Sequence, residues 1–268
     1  MNILVCVKQV PDTTEIKIDP VKNTLIRKGV PSIVNTFDKY ALEAAARIKD
    51  SHPEAKISVL TMGPPQATAA LRECMEIAAD DAYLATDRVF GGSDTFATSY
   101  ILSEVVKKIE ADTGAKFDMI FCGKQAIDGD TAQVGPEMAE HLGWPQVTCG
   151  LACELAGDTL KVSKQREDGI AVIGVQLPCV VTFSKPTFAV RPPTIRRKLA
   201  AKHAEIRQVV ADDLESLDRA HTGLKGSPTK VRRTRTAEVK TNAEMIDEGS
   251  AQANAQKLAD MLSAAGAF

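Results

Sequence analysis

Four times between Met1 and Leu142 a short apolar run gives way to a segment with helical spacing, and that alternation leaves few folds open. Ile3 to Val7 is a continuous run of buried-strand type, followed after a loop by apolar residues at Phe37, Tyr40, Ala41, Ala44, Ala45 and Ile48, with Asn35 or Thr36 placed to cap that helix. Ile57 to Met62 stops at Gly63, Pro64 and Pro65, and Ala67, Ala70, Leu71, Cys74, Met75 and Ala78 then repeat the helical period. Tyr83 to Ala85 reads as a short strand, with Ser93 or Asp94 capping a helix that presents Phe96, Tyr100, Ile101, Val105 and Ile109. Phe117 to Cys122 is the last of the series, followed by the loop GKQAIDGD and a helix from about Thr131 to Leu142. Strand and helix in tandem predict an α/β fold with a mostly parallel sheet flanked by helices. In such a sheet the loops at the carboxyl ends of the strands open on one crevice.

The remainder is less regular. Ile16 to Ile26, with turn residues from Pro20 to Asn23, suggests a small hairpin before the first helix. Val147 to Leu155, Leu160 to Lys164 and Ile170 to Phe183 read as hairpins that close the sheet. Beyond that the apolar period fades, and two basic clusters follow, at Arg191, Arg196, Arg197, Lys198 and Lys202 and at Lys225, Lys230, Arg232, Arg233 and Arg235. We therefore expect an α/β domain over residues 1–190 and a partner-embracing extended arm over 191–268, ending in a helix with Ala251, Ala255, Leu258 and Leu262 on one face.

Composition narrows function by exclusion. The formal net charge is only -2, and the 4% aromatic content amounts to one Trp, three Tyr and eight Phe. A chain so poor in stacking side chains is not built to read single-stranded nucleic acid, so of the three readings open to the basic clusters, an RNA contact, a solvated face or a partner-binding surface, the first is the least favoured. The six cysteines lie mostly in apolar runs without regular spacing, as reduced core residues do. Cys149 and Cys153 share a strand face, which leaves a redox or metal role open for that pair alone. No two histidines stand at ligand spacing, so no metal or catalytic histidine is expected. The apolar run at Met1 is too short for a signal peptide and no run reaches 18 residues, so we expect no membrane insertion and a cytoplasmic protein.

The candidate site lies on the loop from Gly123 to Asp130. A strand, a glycine-bearing loop and a helix start in that order offer unpaired backbone N–H groups and the positive end of a helix dipole to a phosphate. The same pattern suits an ordinary strand-to-helix turn with Asp128 or Asp130 as N-cap, and the residues alone do not separate the two. Because two carboxylates beside a phosphate repel it, a bound nucleotide would require them to face its hydroxyls, water or the helix N–H groups. Cys6 at the end of its strand, Asn35 to Asp38 at a helix start, and Met62 before Gly63 fall on the same rim. The loop Gly91, Gly92, Ser93, Asp94, Thr95 is a second glycine-rich connection, also explicable as a capped helix start. No residue is expected to act as a general acid or base.

These segments carry a resemblance over nearly the whole chain. ILVCVKQVPDT, NTFDKYALEAA, the strand ending MGP and above all CGKQAIDGDTAQVGP resemble the beta (small) subunit of electron-transfer flavoproteins. VSKQREDGIAVIGVQLPCVVT resembles that family's signature, except that Ala171 stands where the pattern has Glu or Gln. The resemblance implies an adenine-nucleotide-hydrolase-like fold and a heterodimer with an alpha subunit that carries the electron-transferring FAD. It implies an adenine nucleotide held by Cys6, Asn35, Thr36, Phe37, Asp38, Met62 and the loop Gly123, Lys124, Gln125, Ala126, Ile127, Asp128, Gly129, Asp130, Thr131, Ala132, Gln133 and Val134. The family often has Pro at the place of Thr36 and a small residue at that of Met62, positions that serve mainly through backbone.

GGSDT at Gly91 to Thr95, with Thr98, and GSPTKV at Gly226 to Val231 resemble the electron-bifurcating members, in which the beta-subunit site holds a second FAD that accepts hydride from NADH. On that resemblance FAD is expected over AMP, with Asp94, Thr95 and Thr98 near the flavin, and the redox partners would be an acyl-CoA-type dehydrogenase and ferredoxin or flavodoxin. A relay subunit binding AMP is the alternative. The competing class is a non-redox ATP-binding module, which would fold without a partner chain.

Overall fold

The computed structural model describes residues 1–12, the backbone of 18–19 and 24–25, residues 31–232 and residues 243–267. In chain order the strands are β1 (Asn2–Cys6), β2 (Gln9–Pro11), β3 (Ile18–Asp19), β4 (Thr24–Leu25), β5 (Ser32–Val34), β6 (Lys56–Met62), β7 (Asp81–Ala85), β8 (Met119–Gly123), β9 (Gln146–Ala156), β10 (Thr159–Gln165), β11 (Ile170–Gln176), β12 (Cys179–Phe183) and β13 (Arg207–Val209). The helices are α1 (Thr36–Ser51), α2 (Thr68–Ile77), α3 (Thr95–Thr113), α4 (Val134–Leu142), α5 (Ile195–His203), α6 (Gly223–Gly226) and α7 (Ala251–Ala264).

Nine strands form one sheet in the order β11-β10-β9-β12-β8-β1-β6-β7-β13. Every neighbour pair from β9 to β13 runs parallel, and β10 alone runs against the others, antiparallel to β9 on one side and to β11 on the other. The α/β expectation, with its mostly parallel sheet, holds. Period-two alternation sorts the core into two layers. Ile3 and Val5 of β1 and Met119 and Phe121 of β8 pack on the α1 and α2 side, while Leu4, Cys6, Ile120 and Cys122 pack on the α3 and α4 side. Because both faces are covered by helices, these strands are apolar throughout. β2 and β5 pair antiparallel beside the end of β1, and β3 and β4 form a separate two-stranded ribbon where the small hairpin was expected.

Two segments depart from the sequence reading. The run Ile170 to Phe183 is not one hairpin: it breaks at the cis Leu177-Pro178 bond into edge strand β11 and strand β12, which pairs parallel with both β8 and β9 in the middle of the sheet. Residues beyond 190 are also not all arm. Arg197 of α5 donates to the carbonyls of Met75 and Ala79 at the end of α2, and Arg72 of α2 donates to those of Ala201, Lys202 and Ala204 at the end of α5. Each helix thus satisfies the other's orphan C-terminal acceptors. β13 closes the sheet edge, and Val209, Ala211 and Leu214 are buried.

One compact unit accordingly comprises residues 1–17 and 25–232, and a second comprises 18–24 and 233–268. The described part of the second carries α7, capped by the Ser250 hydroxyl, and none of its side chains is buried. Ile16, Ile26, Arg233 and Arg235 lie outside the described residues.

Candidate functional site

The carboxyl ends of β1, β6 and β8 carry the predicted loops to one rim of the sheet, and the longest of them, residues 124–133, is held open. α4 begins at Val134, three residues later than expected, and its N-cap is Gln133 with no side-chain cap. The alternative in which Asp128 or Asp130 caps the helix is therefore incorrect. Asp130 and Ala132 both have left-handed φ, 53° and 56°, which costs a residue with a Cβ on the order of 1 kcal/mol or more. Ala132 is followed by Gln133 in the right-handed helical region. Alternation of this kind turns successive N–H groups to the same side, the concave nest that suits an anion. Among the described residues the N–H groups of Thr131, Ala132 and Gln133 meet no acceptor within the protein.

The loop's two carboxylates both have partners within the protein. Asp128 Oδ1 lies 2.6 Å from Lys8 Nζ, and Asp130 Oδ1 accepts from Gln125 Nε2 at 2.6 Å. A lysine and an amide thus offset part of the repulsion that two acidic residues would create. Gly135 brings α4 close to the sheet: a Cβ there would lie 2.6 Å from Thr182 Cγ2.

Below the loop Asn35 and Asp38 are both buried. Asn35 Nδ2 donates to Asp38 Oδ1 (2.9 Å) and to the Gln125 carbonyl (2.8 Å), and its Oδ1 accepts from Ile127 N (3.1 Å). Asp38 accepts from Lys8 N (2.7 Å) and Gly123 N (3.1 Å). Burial pushes the Asp38 carboxyl up to about 7, against the hydrogen bonds from Asn35, Lys8 and Gly123 that pull it down. Thr36 is exposed, Phe37 is half-buried edge-on to Tyr40, and Met62 is half-buried at the end of β6. Cys6 is buried with its Sγ 3.9 Å from Met138 Sδ, so only its backbone faces the rim.

The second glycine loop also lies on unit 1, next to α4. Asp94 caps α3 through Ala97 N (3.0 Å), and Thr95 Oγ1 lies 3.1 Å from Gln133 Oε1 and 3.3 Å from Glu137 Oε1. Asp94 Oδ2 accepts from both Thr229 N (2.9 Å) and Thr229 Oγ1 (2.8 Å), while Asp94 N donates to Ser227 Oγ (2.8 Å). Burial works against ionisation of Asp94, but the bonds from Ala97 and Thr229 outweigh it and hold the carboxyl below its ordinary value. The stretches 91–95 and 226–231, far apart in sequence, are thus joined. Thr98 is half-buried one turn into α3, its N bonded to the Asp94 carbonyl. Lys8, Ser227 and Thr229 complete this rim; they stand in the segments ILVCVKQVPDT and GSPTKV that carry the resemblance, but the sequence reading does not single them out as site residues.

The cysteine pair is split. Cys149 sits at a bulge in β9 with φ 59°, whereas Cys153 is half-buried near Cys179, its thiol pushed up to about 12 by desolvation and then by that neighbour. A thiol so disfavoured as thiolate is a poor nucleophile or ligand. All six cysteines are free.

Fold and rim together define an α/β domain whose loops gather at the carboxyl edge of a parallel sheet. Residues 22–214 match the family described as electron transfer flavoprotein domain. Similar proteins include the electron transfer flavoprotein subunit beta of Clostridium acetobutylicum, 52% identical over 92% of this chain and 93% of that protein. The subunit of the same name in Megasphaera elsdenii is 53% identical over 87% of this chain and 86% of its own length. The caffeyl-CoA reductase-Etf complex subunit CarD of Acetobacterium woodii is 46% identical over 92% of each. The chain belongs to the electron transfer flavoprotein beta-subunit family, in which the beta chain's counterpart is an alpha subunit. That membership separates it from the non-redox ATP-binding modules. Among the described residues no helix is long and apolar enough to cross a membrane.

Proposed function

We propose that the crevice holds FAD, with its pyrophosphate at the nest of residues 130–133, and that the chain passes electrons from NADH as part of a bifurcating complex. The observation that carries this reading is the contiguity of two loops: Thr95 joins the start of α3 to Gln133 and Glu137 at the start of α4, so a ligand longer than a mononucleotide meets a continuous rim. Similarity to a subunit of a caffeyl-CoA reductase-Etf complex supports it further. When bound, the flavin supplies the redox chemistry, and this chain supplies position and electrostatics. Its N–H groups offset the pyrophosphate charge, and Lys8 and Gln125 keep the Asp128 and Asp130 carboxylates from opposing it. Neither a proton donor nor a nucleophile from this chain is required.

The second reading, an AMP-binding relay subunit, uses the same nest without the 91–95 loop. In either case residues 233–268 embrace the alpha subunit, a reading supported by the absence of any buried side chain in the described part of that segment. An acyl-CoA-type dehydrogenase and ferredoxin or flavodoxin are the redox partners on the bifurcating reading, and the cytoplasm its compartment. The test is to purify the chain with its alpha subunit, release the nucleotides and separate them by chromatography. Two FAD per heterodimer, bleached by NADH, is the expected result. One FAD with one AMP and no bleaching overturns the bifurcating reading and favours the relay.

A further inference from the structure

Asn35 occupies the N-cap of α1, where an Asn side-chain oxygen ordinarily accepts from a backbone N–H of its own helix. It makes no such bond. Its amide reaches across to the Gln125 carbonyl and Ile127 N of the 124–133 loop and to the Asp38 carboxylate. Asp38, one turn into the helix, in turn ties down Lys8 N just beyond β1 and Gly123 N at the end of β8. The contact with Gly123 is close enough that a Cβ there would collide with Asp38 Oδ1 and lie 2.8 Å from Asp38 N, so the approach needs glycine. Both donors of the Asn35 amide are spent on the protein, and Asp38 already accepts three bonds.

A loop with two non-glycine residues in left-handed conformation does not hold that shape by itself. Among the described residues its own backbone makes the turn bonds of Gly129 and Asp130 to the Ala126 carbonyl, Lys124 N to Phe183 O, and the bond from Glu137 N to the Gln133 carbonyl where α4 begins. The side-chain bonds that fix Gly123, Gln125 and Ile127 come from Asn35 and Asp38.

We infer that Asn35 and Asp38 are positioning residues, not ligand contacts: their buried side chains hold residues 123–130 so that the N–H groups of 131–133 are presented to an anionic ligand before it arrives. The inference rests on the nucleotide reading above and departs from the expectation that these two side chains touch the nucleotide. Ordering the loop in advance removes a conformational cost from binding.

The test uses the full chain with its alpha subunit, stripped of nucleotide, with AMP and FAD as probes and three variants, Asn35→Ala, Asn35→Ser and Asp38→Asn. Hydrogen exchange of the amides of residues 123–133 is read in the absence of probe, and affinity by titration. Exchange in this loop rises in each variant, affinity falls roughly tenfold, and saturating probe restores wild-type exchange. Asn35→Ala and Asp38→Asn combined weaken binding by less than the product of the two single effects, because both act through one loop. If Asp38→Asn fails to fold, the two Asn35 variants decide alone. Affinity lost with loop exchange unchanged means direct ligand contact and overturns the inference, and so does a loosened loop with affinity unchanged. Uptake of neither probe by the wild-type complex overturns the nucleotide reading itself, and this inference with it.

Discussion

The ion-pair cluster where the chain leaves the sheet for α5 tests how far burial governs electrostatics here. Arg191 bonds Glu43 through its backbone N (3.1 Å), Nε (2.8 Å) and Nη2 (3.1 Å), and Asp50 through both Nη atoms. The Glu43 side chain is 3% exposed and that of Asp50 60% exposed, so one guanidinium serves a buried and a surface carboxylate together. Donating to Asp50 and Glu43 raises the Arg191 pKa, and the guanidinium in turn holds the Asp50 carboxyl below its ordinary value.

Arg191→Ala removes two charge-assisted bonds from Glu43, each worth about 1.5–3 kcal/mol, and strands a buried carboxylate. Arg47, 3.3 Å from Glu43 and stacked 4.2 Å over the Phe188 ring, offsets part of the loss. The net cost is about 3 kcal/mol. Asp50→Ala breaks only the exposed arm and costs about 0.2–1 kcal/mol. In a urea titration with a slope near 3 kcal/mol per molar, Arg191→Ala lowers the midpoint by roughly 1 M and Asp50→Ala by no more than about 0.3 M. Arg191→Lys recovers less than half, because an ammonium cannot span two carboxylates as the planar fork does. Equal shifts for the two alanine variants, or full recovery by lysine, would refute the claim that burial of Glu43 sets the magnitude.

The raised pKa of Asp38 gives a pH dependence. Between about pH 4 and 7 the unfolded chain loses this proton first, so the native state binds more protons and stability falls as pH rises, by up to about 4 kcal/mol, then levels off above 7. Asp38→Asn should remove that slope from urea midpoints measured across the range, and an unchanged slope assigns it elsewhere. Arg72→Ala frees three carbonyls at the end of α5, so amide exchange over residues 195–204 should rise while β1 and β8 are unaffected. Gly223→Ala puts a Cβ into the Val89 carbonyl at a φ of 61°, and the cost of about 1–3 kcal/mol should appear as faster proteolysis within residues 222–232.

Most of the fold was legible because a parallel sheet covered on both faces leaves a plain trace: apolar strands, helical stripes and turn residues between them. α1 and α3 follow their predicted spacing, and Asp94 caps α3 as expected. The misreadings have physical causes. β12 looks like the far arm of a hairpin because it directly follows β11, yet its place between β8 and β9 depends on pairing with strands distant in sequence. α5 lacks an apolar stripe because arginine caps hold much of its contact with α2, and no hydrophobic period records an Arg72 or an Arg197.

The site was legible in a different sense. Sequence pattern located the Gly123 loop and the Asn35 helix start, since glycine and capping residues mark where chains turn. It could not divide their labour within the turn, because a capping residue and a residue that bonds across to another loop have the same composition. Asn35 has the chemistry of an N-cap and spends it 90 residues away on Gln125. Asp130 has the chemistry of a cap and adopts the left-handed backbone of a nest. On the function proposed above, the polar side chains are consumed in shaping the loop, and the main chain is left to meet the ligand. That arrangement fits a protein with 4% aromatic residues, which has few rings to stack on a planar cofactor and depends instead on backbone groups held rigidly from below.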